Sequence, residues 1–270
     1  MPIAQAGTFH NGWTYAIDSF NDGFDEGLIG EDSPVEIYGL ATKEEGDRLY
    51  FAFNSNLGLN GVPKRRAYNN RISYGDLFLN FSDSDALNLA TDDVYAIRFN
   101  ASNDTPQRVG LYQNPSAASL TQANLGFAKR DSYHAAVENL GGAISYGDVA
   151  ADYFANDPSS PTTLYGGSLI GGIEFTSDLA ALDLDFGHFG ATGEHTVGFS
   201  VDRNLLPHES FIAHLFIESG NEGIALSSGD RHDDPVQSKE VSEPSLGLAL
   251  SLISLLPLQK LTKFWGTQRS

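Results

Sequence analysis

A chain of 270 residues with 41% apolar side chains is long enough to bury one large β core or two ordinary ones, and reads as globular rather than disordered. Its 16 basic against 35 acidic residues leave a formal charge of −19, which excludes a nucleic-acid partner held through phosphate neutralisation. The absence of cysteine removes a disulfide scaffold, a thiolate metal site and a cysteine nucleophile together, so the core must hold the fold unaided.

Residues 1–10 read as an N-terminal arm or the remnant of a signal peptide. Ala4, Gln5 and Ala6 have the small-x-small form of a signal-peptidase site, and a coding frame beginning upstream is expected. The stretch "DSFNDGFDEGLIGEDSPVE", Asp18 to Glu36, then spaces carboxylates between glycines with no basic residue among them. Such loops can wrap a hard cation in oxygen ligands, and calcium is the expected ion. Asp18, Asp22, Asp25, Glu26 and Asp32 are its candidate ligands, although their spacing is not that of an EF-hand; the alternative is an ordinary solvated acidic loop.

Strand signals follow. "VEIYGLAT" and "RLYFAFNSN" form a predicted hairpin about "KEEGD", with Leu49, Phe51 and Phe53 on one face and Tyr50, Ala52 and Asn54 on the other. "DLFLNFSD" places Leu77, Leu79 and Phe81 together, and "VYAIRFNA" does the same for Tyr95, Ile97 and Phe99. From Pro115 to Phe154 the pattern turns partly helical, "DSYHAAVENLGG" offering Asp131 as a cap and glycine as a stop. "YGGSLIGG" reads as a turn. "HTVGFSVD" and "SFIAHLFIESG" then return to period two, giving Val197, Phe199 and Val201, then Phe211, Ala213, Leu215 and Ile217. The expected fold is all-β, an antiparallel β-sandwich or jelly roll over residues 11–226 with a small, partly helical insertion.

No nucleophile elbow, phosphate loop, H-E-x-x-H or dinucleotide fingerprint occurs, so no catalytic residues are assigned and no enzyme activity is expected. His188 with His195, or His208 with His214, could bring imidazoles together, but neither pair has the spacing of a zinc motif, and His214 reads as a satisfied sheet histidine. Trp13, Tyr38 and Tyr50 sit among polar neighbours on or near predicted strands. They are candidates for stacking sugar rings of a polysaccharide, against the commoner fate of core packing.

Residues 227–243 contain only Val236 and Val241 as apolar side chains and read as a flexible linker. Residues 244–270 read as a sorting and anchor segment. They hold no acid, an uncharged run "LGLALSLISLLPL" from Leu246, then Lys260, Lys263 and Arg269. Counted on to Trp265, the run reaches the ~20 residues of a membrane helix, with the lysines at its cytoplasmic end. The competing reading is a last amphipathic or buried helix docked on the domain.

The order of linker, Glu-Pro pair, leucine run and basic end resembles the C-terminal signal of cyanobacterial exosortase-dependent (PEP-CTERM type) surface proteins. "YAIDSFNDG" from Tyr15, "GDRLYFAFNSN" from Gly46, "GDLFLNF" from Gly75, "FGATGEHTVGFSVDRNLLP" from Phe189 and "FIAHLFIESGNEGIAL" from Phe211 are similar to the bodies of the same proteins. The resemblance implies processing by an exosortase-like enzyme at Ser242, Glu243 and Pro244, where the family has Pro-Glu-Pro. It also implies transient membrane anchoring, with Lys260, Lys263 and Arg269 stopping transfer. The expected function is that of an exported cell-surface or extracellular-matrix protein. The alternatives are a carbohydrate-binding module of the matrix and a secreted polysaccharide hydrolase.

Overall fold

Period-two alternation builds the molecule. The computed structural model describes residues 7–84, 86–90, 92–155 and 160–229. The Ala4–Ala6 triplet, the linker beyond Gly229, the Ser242-Glu243-Pro244 signal, the leucine run, Trp265 and the charges Lys260, Lys263 and Arg269 lie outside the described residues. Among the described residues no helix is long and apolar enough to cross a membrane.

The strands in chain order are β1 (Thr8–His10), β2 (Trp13–Ile17), β3 (Ile37–Glu45), β4 (Arg48–Ser55), β5 (Val62–Pro63), β6 (Arg71–Ile72), β7 (Tyr74–Asn80), β8 (Val94–Arg98) and β9 (Gly110–Ala118). After the α-helix α1 (Arg130–Asn139) come β10 (Thr163–Gly171), β11 (Glu174–Phe175), β12 (His195–Asp202), β13 (Ile212–Ile217) and β14 (Gly223–Ser227). One six-stranded antiparallel sheet runs β1-β2-β3-β4-β12-β11, a second runs β10-β9-β8-β7-β13-β14, and β5 with β6 forms a small third. The protein is mostly β, in an arrangement consistent with an all-β sandwich.

The inward faces match the alternation. Leu49, Phe51, Phe53, Val197, Phe199 and Val201 from the first sheet share one buried cluster with Leu77, Leu79, Ile97, Phe99, Ala213, Leu215 and Ile217 from the second. Burying each such side chain stabilises by about 1.5–3 kcal/mol, which makes this cluster the main source of stability. The β3–β4 turn is tighter than "KEEGD" suggests. Glu45 pairs with Arg48, and Gly46 takes the left-handed φ of 63° that a two-residue hairpin loop demands.

Four readings change. Thr8–His10, assigned to the N-terminal arm, pair with β2 as an edge strand. Pro115 belongs to β9 rather than to the helical insertion, which proline permits because β9 sits next to the sheet edge and its neighbour β10 is bulged there. "YGGSLIGG" is not a turn but most of β10, whose register shifts at Gly166, Ser168 and Gly171 let glycines stay in a strand. Asp131 lies in the first turn of α1; the cap position is Lys129, so the Asp131 carboxylate, two residues further on, serves the helix dipole instead.

Part of the outer face of each sheet is covered. The segment around residues 179–191 covers the outer side of β2, β3 and β4, packing Phe186 and Ala191 on Trp13, Tyr15, Ala41 and Ala52. Helix α1 and residues 144–154 cover β13 and β14 in the same way, through Tyr133, Val137, Tyr146 and Phe154 on Phe216 and Ala225.

Candidate metal centre

The acidic loop is pinned at both ends by one sheet, leaving β2 at Asp18 and entering β3 after Glu36. Its middle meets the β13–β14 turn, where the Phe24 amide donates to the Asn221 carbonyl at 3.0 Å. A third wall is the 143–147 segment, whose amides donate into the loop.

Four carboxylates converge there. Asp18 is 7% exposed, and Asp22, Glu36 and Glu222 are fully buried. Carboxylate oxygens of Asp18, Asp22 and Glu222 lie within 4.8 Å of one another. Asp18 Oδ1 accepts from the amides of Ser19 (3.0 Å) and Gly147 (3.3 Å), and Asp22 Oδ2 accepts from the Ser145 amide at 2.8 Å. Glu222 Oε1 accepts from the Gly223 amide at 2.9 Å. Their other oxygens, Asp18 Oδ2, Asp22 Oδ1 and Glu222 Oε2, are buried and have no hydrogen-bond partner.

Glu36 completes the group differently, its Oε2 accepting from the amides of Gly23 and Gly30 at 2.9 Å each. Gly23 makes this possible: a Cβ there would stand 2.7 Å from Glu222 Oε2 and 2.9 Å from Glu36 Oε2. The Tyr133 hydroxyl donates to the Asp22 carbonyl at 2.8 Å and fixes the loop from the side of α1.

Burial pushes the carboxyls of Asp18 and Glu36 up to about 7. Burial, and after it the charge of Asp18, pushes Asp22 up to about 10. Burial, with Asp22, Glu36 and Asp18 facing it, raises Glu222 well above the ordinary value. Among the described residues no lysine or arginine pairs with any of the four. Four buried carboxylates cannot all ionise in such a place without a compensating cation.

The donor set is all oxygen and anionic, which suits a hard cation. Ligand atoms no more than 4.8 Å apart lie close enough for small side-chain adjustments to bring Asp18, Asp22 and Glu222 to one calcium ion at bonds of about 2.3–2.6 Å. Magnesium, with bonds of about 2.0–2.1 Å and a reluctance to dehydrate, fits this dry, wide set less well. Buried this deeply, the four present almost no surface to solvent.

The structure thus brings together two of the sequence candidates, Asp18 and Asp22, and separates the rest. Asp25 and Glu26 pair instead with Lys64, at 2.7 and 3.2 Å, and Asp32 is exposed. They leave the centre because residues 25–28 turn back on themselves, Asp25 and Leu28 exchanging backbone hydrogen bonds. Sequence reasoning missed Glu222, 204 positions from Asp18 in the chain. The available signal was a glutamate in a hairpin turn that needs no charge.

The sugar-stacking candidates take the packing fate. Trp13 is fully buried with Nε1 donating to the Leu182 carbonyl at 2.7 Å, Tyr38 is buried, and Tyr50 packs edge-on to Trp13. The 179–191 segment hides the face they would have offered. His214 is also other than expected: buried, stacked on Phe78, and without a hydrogen-bond partner on either ring nitrogen. Its burial lowers its pKa to about 3 and keeps it neutral.

No protein-family model matches the chain, and no curated protein or solved structure matches it.

Proposed function

We propose that the chain is a noncatalytic, calcium-stabilised protein of the cell surface or extracellular matrix, built on a jelly-roll-like domain. Calcium sits among Asp18, Asp22, Glu36 and Glu222. The observation that carries this reading is the set of three buried carboxylate oxygens without partners, converging where no basic side chain among the described residues pairs with them. Extracellular calcium modules work at affinities of about 10⁻⁴–10⁻³ M, so a site of this kind fills outside the cell and not within it.

The sorting half of the proposal rests on the division of charge and the leucine run. Residues 244–270 hold the exported precursor in the membrane as an anchor helix, and an exosortase-like enzyme processes it around Ser242, Glu243 and Pro244. Two measurements on the full chain test the two halves. Calorimetry is expected to give one calcium per chain with magnesium far weaker; equal binding of both ions, or of neither, overturns the calcium reading. Intact-mass spectrometry of surface-extracted protein is expected to give a chain ending near Glu243 and Pro244, whereas a freely soluble species still ending at Ser270 overturns the sorting.

A further inference from the structure

A second constellation lies on the outer side of the first sheet, two of its three members being remote in sequence from the acidic loop. His10 ends edge strand β1, and His188 sits in the single 3-10 turn Phe186–Phe189 of the covering segment. Their rings stack with centroids 3.9 Å apart and planes 9° from parallel. Asp185 caps that turn, its Oδ1 accepting from the His188 amide at 3.0 Å. This leaves Oδ2 facing His10 Nε2 at 3.8 Å. His10 Nε2 is shielded from solvent and has no hydrogen-bond partner, and one donor atom from each of His10, Asp185 and His188 falls within 4.8 Å of the others.

The geometry points to a transition-metal site, with His10, His188 and Asp185 as three ligands of a zinc-class divalent cation. Two imidazoles and a carboxylate are a nitrogen-rich set that favours zinc, copper or nickel over calcium or magnesium, and the chain has no cysteine to compete for them. Zinc ligands at about 2.0–2.1 Å stand about 3.3 Å apart in a tetrahedron, so the 3.8 Å contact must close by about 0.5 Å, and His188 must turn its ring out of the stack, because imidazole lone pairs lie in the ring planes and parallel planes share no ion. Rotation of the exposed His188 and half-exposed Asp185 side chains supplies that.

The surroundings hold the backbone of the turn and leave those two side chains free to swing. The Asp185 amide donates to the Tyr15 hydroxyl at 2.9 Å, and Phe189 packs edge-on against both imidazoles. With Asp185 and His188 open to solvent, a fourth position is left for water or for a donor from another molecule. Bound there, the ion would tie edge strand β1 to the segment that covers the sheet.

The test uses the full chain without a histidine tag, stripped by chelator, then titrated with zinc alone in saturating calcium, so that the acidic loop is already filled. One zinc per chain is expected, with cobalt giving the visible absorption of a four-coordinate ion. His10→Ala and His188→Ala should each weaken zinc binding at least tenfold, while Asp22→Asn should leave it unchanged. Circular dichroism of His188→Ala, at an exposed position, should match the parent. Absence of saturable zinc binding overturns the site, as does binding that survives both histidine substitutions or that is lost in Asp22→Asn.

Discussion

The protein treats two of its clusters of buried acidic side chains oppositely. In one, Asp76 Oδ1 accepts from Asn103 at 2.8 Å, and Oδ2 accepts from the Thr105 hydroxyl and from the Leu164 amide. Glu218 beside it accepts from the amides of Ser73 and Asp104, and Arg98 lends Asp76 positive charge. Both carboxyl groups are spent on donors, and only Asp104, partly exposed, keeps an oxygen unpaired. In the other place Asp18, Asp22 and Glu222 each keep one oxygen unpaired and share no cation from the chain. Burial alone therefore does not make a carboxylate a ligand. The count of donors around it decides, and by that count one cluster is a closed hydrogen-bond network and the other a set of carboxylates with unpaired oxygens, open to the proposed cation.

The largest expected effect separates them by calcium. At about a hundredfold excess over Kd the ion should stabilise the full chain by about 2.7 kcal/mol, or roughly 5–10 °C in melting temperature for a domain of this size. Asp76→Asn should show the same rise and Asp22→Asn almost none. A somewhat smaller effect comes from truncation. Asp76→Ala leaves three donors unpaired and should cost about 2 kcal/mol with or without calcium. Asp22→Asn keeps the bond from Ser145 while removing a buried acid, so in chelator it should melt higher than the parent, by about 1–2 kcal/mol. Thermal melts of the parent and the three variants with chelator and with calcium decide; a calcium-free Asp22→Asn that melts lower than the parent breaks the distinction.

Acidity should sharpen it further. Asp18 and Glu36 titrate in the fold near 7 against ordinary values near 4, so the native state holds more protons between those limits. Stability without calcium should then fall as pH rises from about 4 to about 7. His214 works the other way: held down to about 3, it contributes stability that is lost as pH falls below its ordinary value. One histidine is outnumbered by the raised carboxyls. Because protons and calcium compete for the same oxygens, the melting increment given by calcium should grow from about pH 5 to about pH 8, and an increment independent of pH would show the ion binding elsewhere. The smallest effect belongs to Lys64→Ala, which breaks the pairs with Asp25 and Glu26. It should cost about 1 kcal/mol and leave calcium affinity untouched.

What the sequence made legible was local. Leu49, Phe51 and Phe53 announce an inward face because a strand repeats every two residues, and that rule needs no knowledge of the partner. It says nothing about a cover added from elsewhere, which is why Trp13 and Tyr38 read as exposed rings although residues 179–191 bury them. The same limit divides the metal centre. Asp18 and Asp22 stood in one glycine-spaced loop and were visible, whereas Glu222 reaches them only because β14 lies beside β2 and β3 in space. His10 and His188 meet for a similar reason, and no spacing rule spans the 178 positions between them. Asp25 and Glu26 looked like ligands because composition cannot see Lys64.

The last strand lends the acidic centre a mechanical meaning. β14 lies at the edge of its sheet, yet its free side is laced to residues 146–148, with the Asp148 amide donating to Ala225 and Asp148 Oδ2 accepting from Ser227. Tension drawn through the C-terminal end of the domain arrives at Ser227 and peels β14 from both neighbours one rung at a time. The far end of that strand is Gly223, next to Glu222, so the peel runs into the carboxylates. The calcium proposed there would join the last strand to the loop after the second, so that the chain would lengthen under load only once that ion let go.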